Sequence, residues 1–266
     1  MIKLVAIDLD DTLLTKEKEI TSINKEAIEN ASKMGVKIVI ASGRPYFRVK
    51  PILEQLNLCD NENYVITYNG ANISKADYSK VYQKNVLTKE DKDYIIDVIK
   101  KYQLHYLVYY DDLVYTTSIL DEIKDKPVFY NLKFTFSTEE EILSLPYTNK
   151  IIISDNDEVI SKYRNDIEKA LSEKYNLLLS TPNFFEILTK NSNKGLALKE
   201  LCKILGIKKE ETMAIGDEEN DYPMFEYAAY SIAMRNANPL LKQHAIYITD
   251  DQENSGVGKA IYKYIN

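Results

Sequence analysis

Four short runs of polar residues, widely separated in the chain, hold the side chains best suited to acid–base and metal chemistry. They are Asp8-Leu9-Asp10, Ser42-Gly43, Asn193-Lys194 and Gly216-Asp217-Glu218-Glu219-Asn220-Asp221. Three carboxylates drawn from separate parts of a chain repel one another strongly in the low dielectric of a protein interior. A divalent cation removes that repulsion, and ligation by carboxylate, carbonyl, water and phosphate oxygens favours Mg²⁺ over zinc or copper. Brought together by a fold, these runs predict a magnesium site.

The first two runs each follow a segment that is predicted to be a buried strand. Ile2–Ile7 and Val36–Ala41 are almost wholly apolar, which is typical of strands covered on both faces. The residues between them have apolar side chains at helical spacing, and Gly35 ends that helix. Ligands of open α/β sheets bind beyond the carboxyl ends of the strands. We therefore expect Asp8 and Ser42 side by side at that edge.

The alternation of strands and helices is interrupted in the middle of the chain. A helix capped by Thr88 is followed by an apparent hairpin, and the mixed pattern continues as far as Leu188. From Lys194 the α/β alternation returns. The sequence predicts a Rossmann-like, doubly wound parallel sheet in a core domain of residues 1–81 and 187–266, with an α+β domain of residues 82–186 inserted into it.

Composition excludes several other classes of protein. The net charge of −7, from 34 Lys and Arg against 41 Asp and Glu, argues against a nucleic-acid partner. The two cysteines, Cys59 and Cys202, lack the spacing of a zinc site or a disulfide framework. No apolar run approaches the roughly 18 residues of a membrane helix. The N-terminal segment lacks the features of a secretion signal, so we expect a cytoplasmic protein with a small-molecule partner and no membrane partner.

The types, order and spacing of the motifs resemble the haloacid dehalogenase phosphatase superfamily, in particular its Cof-like subgroup with a type IIB cap. The resemblance extends nearly from end to end. It is carried by Asp8-Leu9-Asp10-Asp11-Thr12-Leu13-Leu14, Ala41-Ser42-Gly43-Arg44-Pro45, Asn69-Gly70-Ala71, Ser192-Asn193-Lys194-Gly195 and Gly216-Asp217-Glu218-Glu219-Asn220-Asp221. It implies that the predicted insertion is the cap domain.

The resemblance implies a Mg²⁺-dependent phosphatase of small phosphorylated metabolites, with sugar phosphates or related phosphomonoesters as the substrate class. Asp8 would attack phosphorus and form an aspartyl-phosphate. Asp10 would protonate the leaving oxygen and then deprotonate the attacking water. The cap would choose the leaving group.

Further roles follow from the same resemblance. Groups that would hold the phosphoryl oxygens are the amides of Leu9 and Gly43 and the side chains of Ser42, Lys194 and Asn220. The Mg²⁺ ligands would be Asp8, the Asp10 carbonyl and Asp217. Asp221 would orient the metal ligands, and the loop at Asn69 would lie beside the substrate.

Two alternatives share the same residues. A phosphotransferase or phosphomutase would use the aspartyl-phosphate but shield it from water. A non-catalytic binding protein would sense a phosphorylated ligand, although it would have no need of both Asp8 and Asp10.

Two residues depart from the family pattern. Asp11 replaces the commoner Gly, and Arg235 stands where Gly is usual. Arg235 would be strained at a positive φ, or would select anionic substrates at the mouth of the cap.

Overall fold

The structure, a computed structural model, describes residues 1–121 and 132–265, so residues 122–131 of the predicted insertion lie outside the described residues. The chain divides into two compact units. The core unit comprises Met1–Lys84 and the chain from Asn193 onward, and the inserted unit comprises Asn85–Ser192. The boundary that the sequence placed after residue 186 falls inside the strand Phe184–Thr189.

The elements of the first core segment are β1 (Leu4–Ile7), α1 (Ser22–Lys33), β2 (Lys37–Ala41), α2 (Tyr46–Gln55), β3 (Tyr64–Thr67), β4 (Asn72–Lys75) and β5 (Val81–Lys84). Those of the inserted unit are β6 (Leu87–Thr88), α3 (Lys89–Lys100), β7 (Tyr106–Tyr110), β8 (Leu113–Thr116), β9 (Phe134–Phe136), α4 (Glu139–Ser144), β10 (Tyr147–Thr148), β11 (Lys150–Ser154), α5 (Asp157–Leu171), β12 (Tyr175–Thr181) and β13 (Phe184–Thr189). Those of the second core segment are α6 (Lys194–Leu205), β14 (Thr212–Gly216), α7 (Tyr222–Tyr227), β15 (Tyr230–Ala233), α8 (Pro239–Gln243), β16 (Tyr247–Ile248) and α9 (Gly256–Tyr264).

The core unit is built on one eight-stranded sheet with the order β16-β15-β14-β1-β2-β3-β4-β5. All neighbours from β16 to β3 are parallel, and β4 and β5 add an antiparallel edge. Every residue of β1 is buried, as its continuous apolar sequence requires for a central strand of such a sheet. The predicted α/β class with a parallel sheet is confirmed.

Helices of both core segments supply the rest of this core. Ala27 and Ile28 of α1, Leu198 of α6 and Ile261 of α9 belong to one cluster with the sheet residues. The two chain segments therefore share a single hydrophobic core, although an insertion separates them in the sequence.

Four core elements were not predicted from the sequence, namely α2, β4, β5 and α8. Helix α8 has only five residues, Pro239–Gln243, too few to show a helical pattern. Helix α2 contains Pro51, which lacks a backbone donor and masks the helical pattern. Strands β4 and β5 form the sheet's antiparallel edge, and β4 buries Asn72 and Ser74, so neither strand has the long apolar run of a central strand.

The inserted unit has the predicted α+β character. Its main sheet has the order β12-β13-β11-β7-β8-β9 and is antiparallel except between β8 and β9. Helices α3 and α5 contribute to a second hydrophobic cluster with this sheet. The predicted hairpin is confirmed in β7 and β8, where Asp111 takes a left-handed conformation in the turn.

A buried lysine fastens the helices of the inserted unit. Lys92 of α3 donates hydrogen bonds to the carbonyls of Ile142, Leu143 and Leu145 at 2.7–2.9 Å. These carbonyls lie at the end of α4, where a helix has no internal donors left to satisfy them.

Within residues 1–121 and 132–265, none of the helices combines the length and apolar character that crossing a bilayer needs.

We expect substitution of two left-handed glycines to separate backbone strain from steric overlap. Gly35 has φ +84° and nothing within 4 Å of an added Cβ, whereas Gly70 has φ +90° and its Cβ would lie 2.1 Å from the Asn193 carbonyl oxygen. Gly35→Ala should lower the free energy of unfolding by about 1–2 kcal/mol, which is the cost of a left-handed Cβ. Gly70→Ala should cost about 1–3 kcal/mol more, because the backbone must also move. Urea denaturation measures both losses, and equal losses would contradict the close approach at Gly70.

Candidate active site

The site lies at the carboxyl ends of three adjacent strands of the core sheet. Ile7 of β1 is in register with Ile215 of β14 and with Ile40 of β2. The residues just beyond these strands include Asp8, Ser42 and Asp217, all of them buried. Parallel pairing thus brings together three residues that the sequence analysis had assigned to one edge.

Lys194 links two of the carboxylates. Its ammonium donates to Asp8 Oδ1 at 2.5 Å and to Asp221 Oδ1 at 2.7 Å, and its side chain is fully buried. Lys194 is the first residue of α6, and the Asn193 side chain caps that helix by accepting from the Leu196 amide. The cap fixes where the helix begins and hence where the ammonium lies.

Asp221 holds the loop that follows β14. Its Oδ2 accepts hydrogen bonds from the amides of Asp217 and Glu218 at 2.9 and 3.2 Å, while Oδ1 accepts from Lys194. A Cβ on Gly216 would lie 2.5 Å from the Asp221 carboxyl group. Both oxygens of Asp221 are therefore engaged, one by Lys194 and the other by the backbone of the loop.

The buried acidic cluster is the electrostatic centre of the site. Ligand oxygens of Asp8, Asp217 and Asp221 lie within 4.8 Å of one another. Three carboxylates against the one ammonium of Lys194 leave two negative charges. Asp217 Oδ1 accepts from the Thr12 hydroxyl at 2.6 Å, and this partner carries no charge. An all-oxygen donor set with a surplus of two negative charges fits a divalent cation such as Mg²⁺.

The pKa values of these groups reflect that surplus. Burial, opposed by the charge of Lys194 and reinforced by that of Asp221, raises the pKa of Asp8 from 3.8 to about 7. Burial and the charges of Asp8 and Asp221 raise the pKa of Asp217 to about 9. Burial acts to lower the pKa of Lys194, but the two carboxylates bonded to it outweigh burial and raise it. Because folding raises these two carboxyl pKa values, the contribution of Asp8 and Asp217 to stability is present at low pH and is lost as the pH rises from about 3.8 towards 7–9.

Asp10 has a different environment from Asp8. Its side chain is 44% exposed, and it accepts hydrogen bonds from Arg44 at 2.8 and 2.5 Å and from Lys18 at 3.0 Å. Partial burial acts to raise its pKa, but the hydrogen bonds and charges of Arg44 and Lys18 outweigh that effect and lower the pKa to about 2. The structure therefore places the two aspartates of the first motif in different environments, with Asp8 buried against Lys194 and Asp10 partly exposed against Arg44 and Lys18.

Asn69, Ser42 and Asn220 are joined by hydrogen bonds. The Asn69 amide donates to the Ser42 carbonyl at 3.0 Å, and the Asn220 side chain donates to Asn69 Oδ1 at 3.0 Å. Asn69 takes a left-handed conformation, which asparagine tolerates better than most residues. A Cβ on Gly43 would lie 3.0 Å from the Asn69 side chain, so that loop packs closely against it.

Leu9 lies between the two aspartates and turns the chain. Its side chain is fully buried, and its carbonyl accepts from the Leu13 and Leu14 amides at 3.1 and 2.9 Å. This anchors the backbone immediately beyond Asp8.

Asp11 and Arg235, the two departures from the pattern of the resembling family, differ in backbone conformation. Asp11 adopts a left-handed conformation with φ 56°, and its carbonyl accepts from the Asn236 side chain at 2.7 Å. Arg235 lies outside the left-handed region, so arginine causes no strain there. Its guanidinium, on a mostly exposed side chain, pairs with Asp250.

Sequence reasoning assigned no role to Thr12, Lys18 or Arg44, each of which contacts a site carboxylate. Thr12 and Arg44 lie inside quoted motifs, so their positions could have drawn attention. Lys18 belongs to a loop outside every motif and is brought to Asp10 by a left-handed turn.

Comparison with known proteins gives one consistent result. Residues 5–261 match the haloacid dehalogenase-like hydrolase family. The chain is 36% identical to a protein of Streptococcus pyogenes serotype M6 over 99% of this chain and 98% of that protein. It is 30% identical to a 5-amino-6-(5-phospho-D-ribitylamino)uracil phosphatase of Bacillus subtilis, over 99% of this chain and 96% of that protein. A solved haloacid dehalogenase subclass IIB sugar phosphatase has a TM-score of 0.84 and 25% identity, with 98% of each chain covered.

We expect Lys194→Met to destabilise the protein strongly, because it leaves three buried carboxylates without a cation. The free energy of unfolding at neutral pH should fall by about 3–5 kcal/mol. The loss should shrink as the pH is lowered, since protonation removes the uncompensated charges. Lys199→Met, on the exposed face of the same helix, should stay within about 0.5 kcal/mol of wild type. Urea denaturation across pH checks the prediction, and similar losses for the two variants would refute it.

Proposed function

We propose that this chain, which belongs to the haloacid dehalogenase-like hydrolase family and is a phosphoric monoester hydrolase, acts on small phosphorylated metabolites. In this proposal the reaction proceeds through an aspartyl-phosphate on Asp8, with Mg²⁺ as cofactor. One observation carries the proposal. A buried carboxylate, Asp8, lies against the Lys194 ammonium and beside Asp217 at the ends of parallel strands. This arrangement supplies an anionic nucleophile and the charges needed to bind a phosphoryl group.

The reaction has two displacements at phosphorus. In the first, a carboxylate oxygen of Asp8 bonds to phosphorus as the ester P–O bond breaks, and the departing oxygen takes a proton from Asp10. In the second, Asp10 takes a proton from water while the water oxygen bonds to phosphorus. The bond between phosphorus and Asp8 then breaks, which releases inorganic phosphate and restores the enzyme.

The groups that bind the phosphoryl oxygens come from the loops already described. Ser42 Oγ accepts the Arg44 amide hydrogen at 3.1 Å, so its own hydroxyl proton is left for a phosphoryl oxygen. We assign the same task to Lys194, Asn220 and the amides of Leu9 and Gly43.

The proposed metal ligands are the carboxylates of Asp8 and Asp217 and the main-chain carbonyl of Asp10. Bound Mg²⁺ would neutralise charge on the phosphoryl oxygens. The surplus of two negative charges in the cluster supports this assignment. Asp221 orients the ligands through its hydrogen bonds to the Asp217 and Glu218 amides.

We infer that the substrates are phosphomonoesters of sugars or polyols. Support comes from the two relatives named for a phosphoribitylamino compound and for sugar phosphates. All assigned phosphoryl-transfer residues belong to the core unit, so we assign choice of the leaving group to the inserted unit as a cap domain. The deciding experiment is phosphate release with Mg²⁺ across a panel of phosphorylated metabolites, ranked by kcat/KM. Transfer of phosphate to an added sugar in preference to water would instead identify a phosphotransferase.

Asp8→Asn should abolish turnover while leaving the fold intact, because the isosteric amide cannot act as the carboxylate nucleophile. Asp11→Asn is a matched control, since asparagine tolerates the left-handed conformation found at Asp11. Its turnover should stay close to that of wild type. Steady-state phosphate release, with circular dichroism to check folding, measures both variants. Near-native turnover by folded Asp8→Asn protein would disprove the mechanism.

Activity should disappear in EDTA, return with Mg²⁺ and be inhibited by Ca²⁺, which prefers more ligands and longer bonds. Asp217→Ala should raise the Mg²⁺ concentration needed for half-maximal activity and lower kcat, because an anionic ligand is lost. Glu219→Ala, an exposed carboxylate in the same loop, serves as control. Isothermal titration with Mg²⁺ gives a readout independent of activity. Unchanged Mg²⁺ affinity in Asp217→Ala would remove Asp217 from the site.

A further inference from the structure

Arg44 makes a two-pronged ion pair with Asp10. Its Nε donates to Asp10 Oδ2 at 2.8 Å, and its Nη2 donates to Asp10 Oδ1 at 2.5 Å. A planar guanidinium that meets both oxygens of a carboxylate fixes the plane of that carboxylate as well as its position. The proposed function needs a positioned proton donor at Asp10, and Arg44 has no place in that function so far.

The backbone of Arg44 is itself held on both sides. Its amide donates to Ser42 Oγ at 3.1 Å, and its carbonyl accepts from the Tyr68 amide at 3.1 Å. The Arg44 side chain is only 15% exposed, whereas that of Lys18, the other cation on Asp10, is 46% exposed. The guanidinium is therefore the better-fixed partner, since an exposed lysine keeps most of its rotational freedom.

The two carboxylate oxygens of Asp10 accept different numbers of hydrogen bonds. An ionised carboxylate has about four acceptor sites, two on each oxygen. Oδ1 accepts from both Arg44 and Lys18, which occupies its two sites. Oδ2 accepts from Arg44 only, so one site on Oδ2 remains for a proton.

We propose that Arg44 is a positioning residue, which acts on the reaction through Asp10 by holding its carboxyl group so that Oδ2 is the proton-transfer atom. This inference rests on the proposed function. Arg44 and Lys18 hold Asp10 as a carboxylate, so Oδ2 first takes a proton from the monoanion of the bound phosphomonoester. Oδ2 gives that proton to the leaving oxygen as the ester P–O bond breaks, and the same oxygen then takes a proton from the attacking water. Arg44 makes no bond to phosphate in this scheme.

A comparison of substrates with different leaving groups distinguishes this positioning role of Arg44 from phosphate binding. An alkoxide is a poor leaving group and needs the proton, whereas p-nitrophenolate departs readily as an anion. General acid catalysis contributes about 10²–10⁴-fold where it is needed. Loss of positioning should therefore slow an alkyl phosphate far more than p-nitrophenyl phosphate.

The test compares Arg44→Gln, Arg44→Lys and the control Arg48→Gln on a sugar phosphate and on p-nitrophenyl phosphate. With the sugar phosphate, Arg44→Gln should lower kcat by at least about 10-fold with little change in KM. With p-nitrophenyl phosphate, kcat should fall by less than about 3-fold. Arg44→Lys should not restore the sugar phosphate rate, because an ammonium cannot form the two-pronged pair. Arg48→Gln removes an equal charge from the following helix and should behave as wild type.

Two further measurements make the outcome decisive. In an Asp10→Asn background, Arg44→Gln should add almost no further loss, because its effect passes through Asp10. Crystal structures should show the Asp10 carboxylate displaced in Arg44→Gln and unmoved in Arg48→Gln. Equal losses on both substrates with a raised KM would mean that Arg44 binds phosphate, and an unmoved Asp10 carboxylate would also overturn the proposal. A wild-type protein that releases phosphate from no substrate would refute the proposed function, while the crystal structures would still decide the positioning.

Discussion

The contact of the Lys194 ammonium with Asp8 and Asp221 is the interaction on which the core unit depends. A single buried cation serves a cluster of three carboxylates, and removing charged groups from water costs several kcal/mol per ion. The raised pKa values of Asp8 and Asp217 show that this cation does not compensate the cluster fully. The fold therefore carries an electrostatic cost at the position where the proposed reaction needs a divalent cation and a phosphoryl group.

Close backbone packing makes this contact possible. A Cβ on Gly70 would meet the Asn193 carbonyl oxygen, and one on Gly195 would lie 2.1 Å from the Pro223 carbonyl oxygen. These glycines flank the start of α6, so larger side chains there would push Lys194 away from the carboxylates. The motifs of this chain thus combine residues assigned to the chemistry with glycines that allow the Lys194 ammonium to lie close to the carboxylates.

The features that could be predicted from the sequence are those that follow from apolar periodicity and from the positions of strand ends. Apolar runs followed by polar residues located Asp8, Ser42 and Asp217 at one sheet edge, because parallel pairing aligns the carboxyl ends of neighbouring strands. The sequence did not predict contacts that depend on side-chain conformation, such as the pair of Arg44 with Asp10. The edge strand Val81–Lys84 was missed for a related reason, since it is short and largely exposed and so lacks an apolar pattern. Local backbone conformation was equally hidden, because Asp11 is left-handed and Arg235 is not.

The opposite pKa shifts of Asp8 and Asp10 show how two residues of the same type acquire different environments within three positions of the chain. The buried Leu9 lies between them and fixes the turn. Asp8 is directed to a carboxylate-rich interior, where burial and neighbouring charge raise its pKa. Asp10 meets Arg44 and Lys18 near the surface, and their charges lower its pKa despite partial burial. In the proposed reaction Asp8 must be ionised to attack phosphorus, so bound Mg²⁺ would have to offset the burial that raises its pKa. Asp10 is already held as a carboxylate, which is the form that takes a proton from water. In this chain the separation of the two pKa values needs both the central strand that buries Asp8 and the guanidinium that holds Asp10, so neither motif is sufficient alone.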